Sequence, residues 1–203
     1  IDLLRLDGIK NLSLDSIEAG ARIIQHSYED MTYLMKRDRA INVKNKFCLV
    51  DFIKQRVNYF TCIAEANQLS FSIIIGQPDL PHIYFSELKL LRLVDNTLSN
   101  AIKYSEKPRE IIVKVGLQKN NLFFEVRNYG SIINEKKKIF ERFYRETEQK
   151  GGYGLGLNIV KQICEEEAVD IKIQSTLSRG TSFRYIFKYE TNLQHNPYTI
   201  TTK

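Results

Sequence analysis

Residues 95–105 read Asp95-Asn96-Thr97-Leu98-Ser99-Asn100-Ala101-Ile102-Lys103-Tyr104-Ser105, and they close a helical segment that begins near Ser86. Leu88, Leu91, Val94, Leu98 and Ala101 recur at helical spacing and form one apolar face. Asn96, Asn100 and Lys103, at offsets of four and seven, line up on the other face. Two carboxamides one turn apart present neutral oxygens to a hard cation. Magnesium accepts one or two such protein ligands and keeps phosphate oxygens and waters for the rest. Asn100 is the candidate ligand. An exposed polar helix face carries the same pattern, so the pair alone leaves both readings open.

Toward the C-terminus, two runs rich in valine, isoleucine and phenylalanine predict strands over Glu110–Gln118 and Leu122–Arg127, with Lys119-Asn120-Asn121 as the turn. Residues 128–152 carry few strand signals, and a loop of roughly 20 residues inside a compact domain is usually functional, often a lid. Next comes Gly151-Gly152-Tyr153-Gly154-Leu155-Gly156-Leu157. Closely spaced glycines leading into a helix let the backbone approach a ligand with free amides pointing at it, and the helix dipole adds positive potential. That chemistry suits phosphate. The segment follows no strand directly and lacks the lysine that closes a Walker-type loop, which argues against Rossmann and Walker sites. A helix over Leu155–Ala168, strands over Asp170–Ser175 and Thr181–Tyr189, and a polar, patternless tail complete the chain.

On the N-terminal side, a turn at Gly76-Gln77-Pro78 follows a predicted strand over Ser70–Ile75, a helix ending near Asn67 and a short strand over Phe47–Val50. Earlier still, Ile17, Ala21, Ile24, Tyr28, Met31 and Leu34 mark the apolar face of a long amphipathic helix. A short helical piece, Asp2 to Leu6, and a turn at Asp7-Gly8 make this opening a hairpin. Such a hairpin has little core of its own, so a partner helix or a second subunit is expected to cover it.

Composition sets outer limits. The chain has 203 residues, 43% of them hydrophobic, enough for one main core. Thirty basic against 24 acidic residues give a net charge of +6, too scattered to argue for nucleic acid. Cys48, Cys62 and Cys164 are odd in number and far apart, so neither a disulfide framework nor a zinc site is indicated, and a reducing compartment is expected. No apolar run reaches the roughly 20 residues of a membrane-spanning helix. The chain opens on Ile1, and a longer protein upstream is expected.

Taken together, five elements in order resemble the catalytic domain of sensor histidine kinases. They are Asn96-x-x-x-Asn100-Ala101-x-Lys103-Tyr104-Ser105, Asn128-Tyr129-Gly130, Ile139-Phe140-Glu141-Arg142-Phe143-Tyr144-Arg145, Gly152-x-Gly154-Leu155-Gly156-Leu157 and Arg179-Gly180-Thr181-Ser182-Phe183. The resemblance covers roughly Cys48 to Tyr189. It implies an α/β sandwich of the gyrase, chaperone, histidine kinase and MutL superfamily, a mixed sheet with helices on one face. It also divides the chain into part of a dimerisation and phosphotransfer hairpin over 1–45, an ATP-binding domain over 46–190 and a tail over 191–203. Implied cofactors are ATP and Mg2+. Implied partners are a second copy through the N-terminal helices and a response-regulator receiver domain, with no nucleic acid. The domain is expected to be cytoplasmic, joined to a membrane only through regions outside this chain.

The resemblance also assigns roles. Asn100 would hold magnesium, Asn96 would lie near the phosphates, Lys103 would reach them, and Tyr104 would pack against the base. Asn128 stands where the family usually has an aspartate that accepts a hydrogen bond from the adenine amino group. Its side-chain oxygen can still accept that bond, with weaker discrimination against guanine expected. Ile132 replaces the second glycine of that element. Gly130, Ile133, Gly152, Tyr153, Gly154, Leu155, Gly156, Leu157 and Thr181 would surround the nucleotide. Phe140, Phe143 and Tyr144 would anchor the lid, and Arg145 would bring a cation to the γ-phosphate.

Of the three histidines, His26 lacks the neighbours of a phosphoacceptor, His82 follows a proline in a connection, and His195 lies in the tail. The expected enzyme is therefore a histidine kinase whose acceptor lies outside this chain. Three alternatives stay open: a degenerate nucleotide-binding or dimerisation module without kinase activity, an ATP-hydrolysing relative, and an anti-sigma serine kinase. Hydrolytic relatives have a glutamate at the position of Asn96, and an asparagine there cannot take a proton from water. The N-terminal hairpin disfavours the serine kinase.

Overall fold

Alternation along the strands decides where the core sits. In the computed structural model, which describes residues 12–36, 43–146 and 153–188, five strands form one sheet in the order β2-β4-β5-β7-β6. They are β2 (Leu69–Ile75), β4 (Arg109–Gln118), β5 (Asn121–Asn128), β6 (Val169–Thr176) and β7 (Gly180–Phe187). β2 runs parallel to β4, and the other pairs are antiparallel. Register places Ile73, Val113, Val126, Phe183 and Ile173 in one row across the sheet, and Val115, Phe124, Tyr185 and Ile171 in the next. These rows form the apolar face.

Helices α2 (Leu49–Ala66), α3 (Glu87–Tyr104) and α4 (Gly156–Glu166) cover that face, packing on β2, β5 and β6. The result is the α/β sandwich with a mixed sheet expected from the sequence. The opposite face carries Glu125, buried between Arg127 and Arg184, with the Arg184 guanidinium 4.5 Å above the Phe123 ring. The β4–β5 turn is shorter than predicted: Lys119 and Asn120 alone bridge the strands, both at positive φ, the twist a two-residue hairpin needs.

Several boundaries differ. The early strand is β1 (Lys44–Phe47), which pairs antiparallel with β3 (Ile83–Ser86), a strand the sequence did not announce. β1 is exposed along most of its length, so no alternation marks it. α3 departs further from its predicted faces. Leu88 is exposed while Leu90, Leu93, Val94, Leu98, Ala101 and Ile102 are buried, and so are Arg92, Asp95 and Asn96. Long-range partners account for this. Arg56 on α2 grips the Asp95 carboxylate with two hydrogen bonds of 2.8 Å. The first helix, α1 (Leu12–Lys36), sets Glu29 and Asp30 against Arg92.

α1 is anchored on its polar side. Arg22 donates to the Tyr59 carbonyl and, with Arg56, flanks the Tyr59 ring at 4.4 Å. Its other side leaves Ile17, Ile24, Tyr28, Met31 and Met35 exposed in one stripe, whereas Leu34 packs toward the core. The short helix at Asp2 to Leu6, the link around residues 37–42 and the tail, His195 included, lie outside the described residues.

Candidate functional site

One cavity of about 90 Å³ opens between α3, the ends of β5 and β7, and the loop over residues 129–146. The α3 wall is Thr97, Asn100, Ala101 and Tyr104, the i, i+3, i+4, i+7 face of that helix. β5 supplies Val126 and Asn128, and β7 supplies Thr181 and Phe183, two residues apart on each strand as the pleat requires. Leu157, in the first turn of α4, closes one side, while Ser131, Ile133, Ile139, Tyr144, Arg145 and Glu146 form the loop side. Asn100 and Leu157, the latter in the first turn of α4, therefore line the same cavity, while Gly154, Leu155 and Gly156 do not line it.

Two separate sets of hydrogen bonds brace the lining residues. Thr97 Oγ1 and the buried Tyr185 hydroxyl lie 2.8 Å apart, and burial drives the Tyr185 phenol far above its ordinary pKa, so it stays neutral. Ser175 Oγ accepts from the Ile133 amide at 2.8 Å and lies 2.6 Å from Thr181 Oγ1, tying the loop to β6 and β7. Burial raises the Tyr104 pKa, with the charges of Arg145 and Glu146 nearby acting in opposite senses. The Asn128 carboxamide is buried, and its Nδ2 has no hydrogen-bond partner among the described residues.

Two glycines of the glycine-rich stretch are required by close packing. Gly156 is required by packing: a Cβ there would lie 2.2 Å from Asn96 Oδ1. Gly154 has φ +68 and lies against the Phe143 backbone, where a Cβ would come within 2.8 Å. The Phe143 amide donates to the Gly154 carbonyl at 3.0 Å, which closes the base of the loop. Among the described residues these glycines therefore fit the α4 start against α3 and the lid. Gly152 lies outside the described residues.

Asn96 does not line the cavity. Only 3% exposed, it donates through Nδ2 to Asp30 Oδ1 and to the Arg92 carbonyl, each at 3.0 Å. Lys103 sets its ammonium 5.0 Å from the Tyr104 ring centre, also outside the lining. Gly130 bridges to Ser105 behind the cavity, and Tyr153 is exposed. Leu155 is buried in the core. Phe140 is half-buried, its carbonyl accepting from Asn158 Nδ2 at 2.9 Å. Phe143, expected to anchor the lid, is instead 70% exposed with φ +64.

Seven lining residues have no site role assigned from the sequence: Thr97, Ala101, Val126, Ser131, Ile139, Glu146 and Phe183. Four had a signal. Thr97 and Ala101 share the helical face of Asn100 and Tyr104, and Val126 and Phe183 share strand faces with Asn128 and Thr181. Glu146 had none, yet its Oε1 accepts from the amides of Asn134 and Glu135 at 3.0 and 3.1 Å and so fastens the loop. No group of three or more His, Cys, Asp or Glu side chains able to hold a metal occurs among the described residues. A magnesium ion held chiefly by phosphate oxygens and waters needs no such group, and a single amide oxygen such as that of Asn100 suits it. Buried Cys164, its pKa pushed up to about 12 by burial and by Glu165, is an inert thiol.

The model of the histidine kinase-, DNA gyrase B- and HSP90-like ATPases matches residues 85–191. Among curated relatives, the alginate biosynthesis sensor protein KinB of Pseudomonas aeruginosa is 30% identical over 137 residues, 66% of this chain and 23% of that protein. Sensor histidine kinase YkoH of Bacillus subtilis is 40% identical over 102 residues, 47% of this chain and 22% of YkoH. The chain thus spans about a quarter of the length of the curated relatives it matches. Among solved structures, the catalytic domain of histidine kinase ThkA superposes with a TM-score of 0.63 at 22% identity, covering 71% of this chain and 94% of that one. This last likeness speaks to the fold.

Proposed function

The chain belongs to the histidine kinase-, DNA gyrase B- and HSP90-like ATPase family and carries the ATP-binding catalytic domain of sensor histidine kinases; from that premise we propose that the cavity holds Mg-ATP and that its γ-phosphate passes to a histidine outside this chain. The observation that carries the reading is the convergence of Asn100 and the first turn of α4 on one cavity. The cavity is smaller than the few hundred Å³, about 300 or more, of a site that encloses a whole ligand. A base ring would fill it beside Tyr104 and Asn128, with the phosphates in the open mouth.

Phosphoryl transfer asks little covalent chemistry of the protein; positioning and charge neutralisation dominate. Asn100 would hold the magnesium ion, which when bound screens the phosphate charge. The amides at the start of α4 add positive potential, and Arg145, already on the cavity wall, supplies a cation. Transfer breaks the bond from the γ-phosphorus to its bridging oxygen and forms one to an imidazole nitrogen. Asn96 cannot serve as a base for water, so hydrolysis would be slow. Its part is to position Gly156 and α1. Lys103 would approach the phosphates from the rim.

The exposed stripe on α1 supports a homodimer, and a response-regulator receiver domain would take the phosphate onward. No helix among the described residues is long and apolar enough to cross a membrane. A nucleotide-binding module without kinase activity is a second reading, favoured by one observation: the Asn96 amide is turned to Asp30 rather than to the cavity.

Calorimetric titration with ATP and a non-hydrolysable analogue, with and without magnesium, tests binding; affinity on the order of micromolar is expected. Asn100→Ala should abolish the magnesium dependence. No heat and no thermal stabilisation would overturn the ATP site. Acid-labile phosphate on the full-length protein supports the kinase, and ATP binding without it selects the module.

A further inference from the structure

The Asn128 side chain combines two features that ask for a ligand. It lines the cavity at 4% exposure, and its Nδ2 is one of the few buried polar atoms without a partner among the described residues. A buried N–H is normally paired, so this donor calls for an acceptor on whatever enters. Apolar side chains, Val126, Ile133, Leu157 and Phe183, line the same cavity and offer the nonpolar surface that an aromatic ring prefers. The neighbouring hydroxyl, Thr181 Oγ1, is already engaged with Ser175.

A carboxamide carries a donor and an acceptor side by side, and half a turn about its last bond exchanges them. In one orientation Oδ1 accepts from the adenine 6-amino group while Nδ2 donates to N1. In the other, Nδ2 donates to the carbonyl oxygen of a 6-oxopurine while Oδ1 accepts from N1–H. A carboxylate in this place would have acceptors alone, so set against the exocyclic 6-position it would accept from the amino group of adenine but face the carbonyl oxygen of a 6-oxopurine.

We propose that Asn128 makes the base pocket permissive, so that the site takes 6-oxopurine nucleotides with an affinity within about tenfold of that for ATP; this rests on the ATP-site reading above. The probe is inosine triphosphate, which lacks the 2-amino group of GTP, so steric fit at that position does not enter. Calorimetric titrations of ATP and inosine triphosphate, each with magnesium, are run on the chain and on Asn128→Asp and Asn128→Ala, with nucleotide-free melting curves to verify folding. The expected result is a dissociation-constant ratio below about ten for the unaltered chain. In Asn128→Asp that ratio should rise by a further factor of about ten or more as an acceptor faces an acceptor. Asn128→Ala should weaken both nucleotides and leave the ratio near that of the unaltered chain. ATP binding with inosine triphosphate more than about tenfold weaker would overturn the proposal, as would an unchanged ratio in Asn128→Asp or unweakened binding in Asn128→Ala. Binding of neither nucleotide would instead overturn the ATP site itself, and the inference with it.

Discussion

Gly156→Ala places a methyl group where the structure has no room for one. The new Cβ would lie 2.2 Å from Asn96 Oδ1 and 3.0 Å from Asn96 Cγ, against an ordinary contact of 3.4 Å or more. One group must retreat by about 1 Å. Asn96 cannot swing aside freely, because Nδ2 donates to Asp30 Oδ1 and to the Arg92 carbonyl, and the residue is buried. Turning the side chain breaks a bond to a carboxylate, worth about 1.5–3 kcal/mol, and a neutral one worth about 0.5–1.5 kcal/mol. Alanine returns at most about 1 kcal/mol through helix propensity. The net loss expected is about 1–3.5 kcal/mol, a Tm lower by about 2–14 °C for a chain of this size. Urea unfolding of Gly156→Ala, Asn96→Ala and the double variant measures it. Asn96→Ala removes the clashing oxygen, so the double variant should recover about 2 kcal/mol relative to the sum of the singles. Losses that add to within about 0.5 kcal/mol would refute the contact.

The Lys44–Glu167–Lys89 cluster joins β1, α3 and the end of α4. Burial opposes ionisation of Glu167, but hydrogen bonds from Lys44 and Lys89 outweigh it and hold its pKa below the ordinary 4.5. That stabilisation is present above pH 4.5 and lost as pH falls through the depressed value, so Glu167→Gln should flatten the acid limb of a stability–pH curve; an unchanged limb would discount the cluster. Lys89, lowered by burial but raised more by Glu167 and Glu166, titrates above 10.5, so its contribution persists until pH rises beyond that. Leu98→Ala, at a fully buried position, should cost about 3–5 kcal/mol in the same unfolding assay, and a loss below about 1 kcal/mol would mean the site collapses freely. Ile24→Glu with Met31→Glu puts two charges into the exposed α1 stripe. Sedimentation should show the proposed homodimer dissociating, and a dimer unaltered by the two charges would move the interface elsewhere.

Much of the fold was legible because it rests on local patterns. The hydrophobic runs of β4 and β5, the helix ending at Tyr104 and the glycines before α4 announce themselves within a few residues. The faces of α3 did not. Periodicity put Asn96 on the polar face with Asn100, whereas α1, about 65 residues earlier, covers it through Asp30. Arg92 and Asp95 are buried for the same reason: each has a charged partner from a distant helix, and hydrophobic spacing cannot register a buried ion pair. β1 and β3 are too short and too irregular in burial to reveal that they pair.

By itself the sequence determined which residue types could bind a phosphate, a cation and a base, and in what order along the chain, since those depend on donor chemistry and local spacing. Tertiary packing decided which of them share a cavity. Asn100, Tyr104, Asn128, Arg145 and Leu157 do; Asn96, Lys103 and Tyr153 do not. The physical reason is that a side chain's period tells which side of its element is covered, while the neighbour that covers it is chosen by contacts far away in the chain.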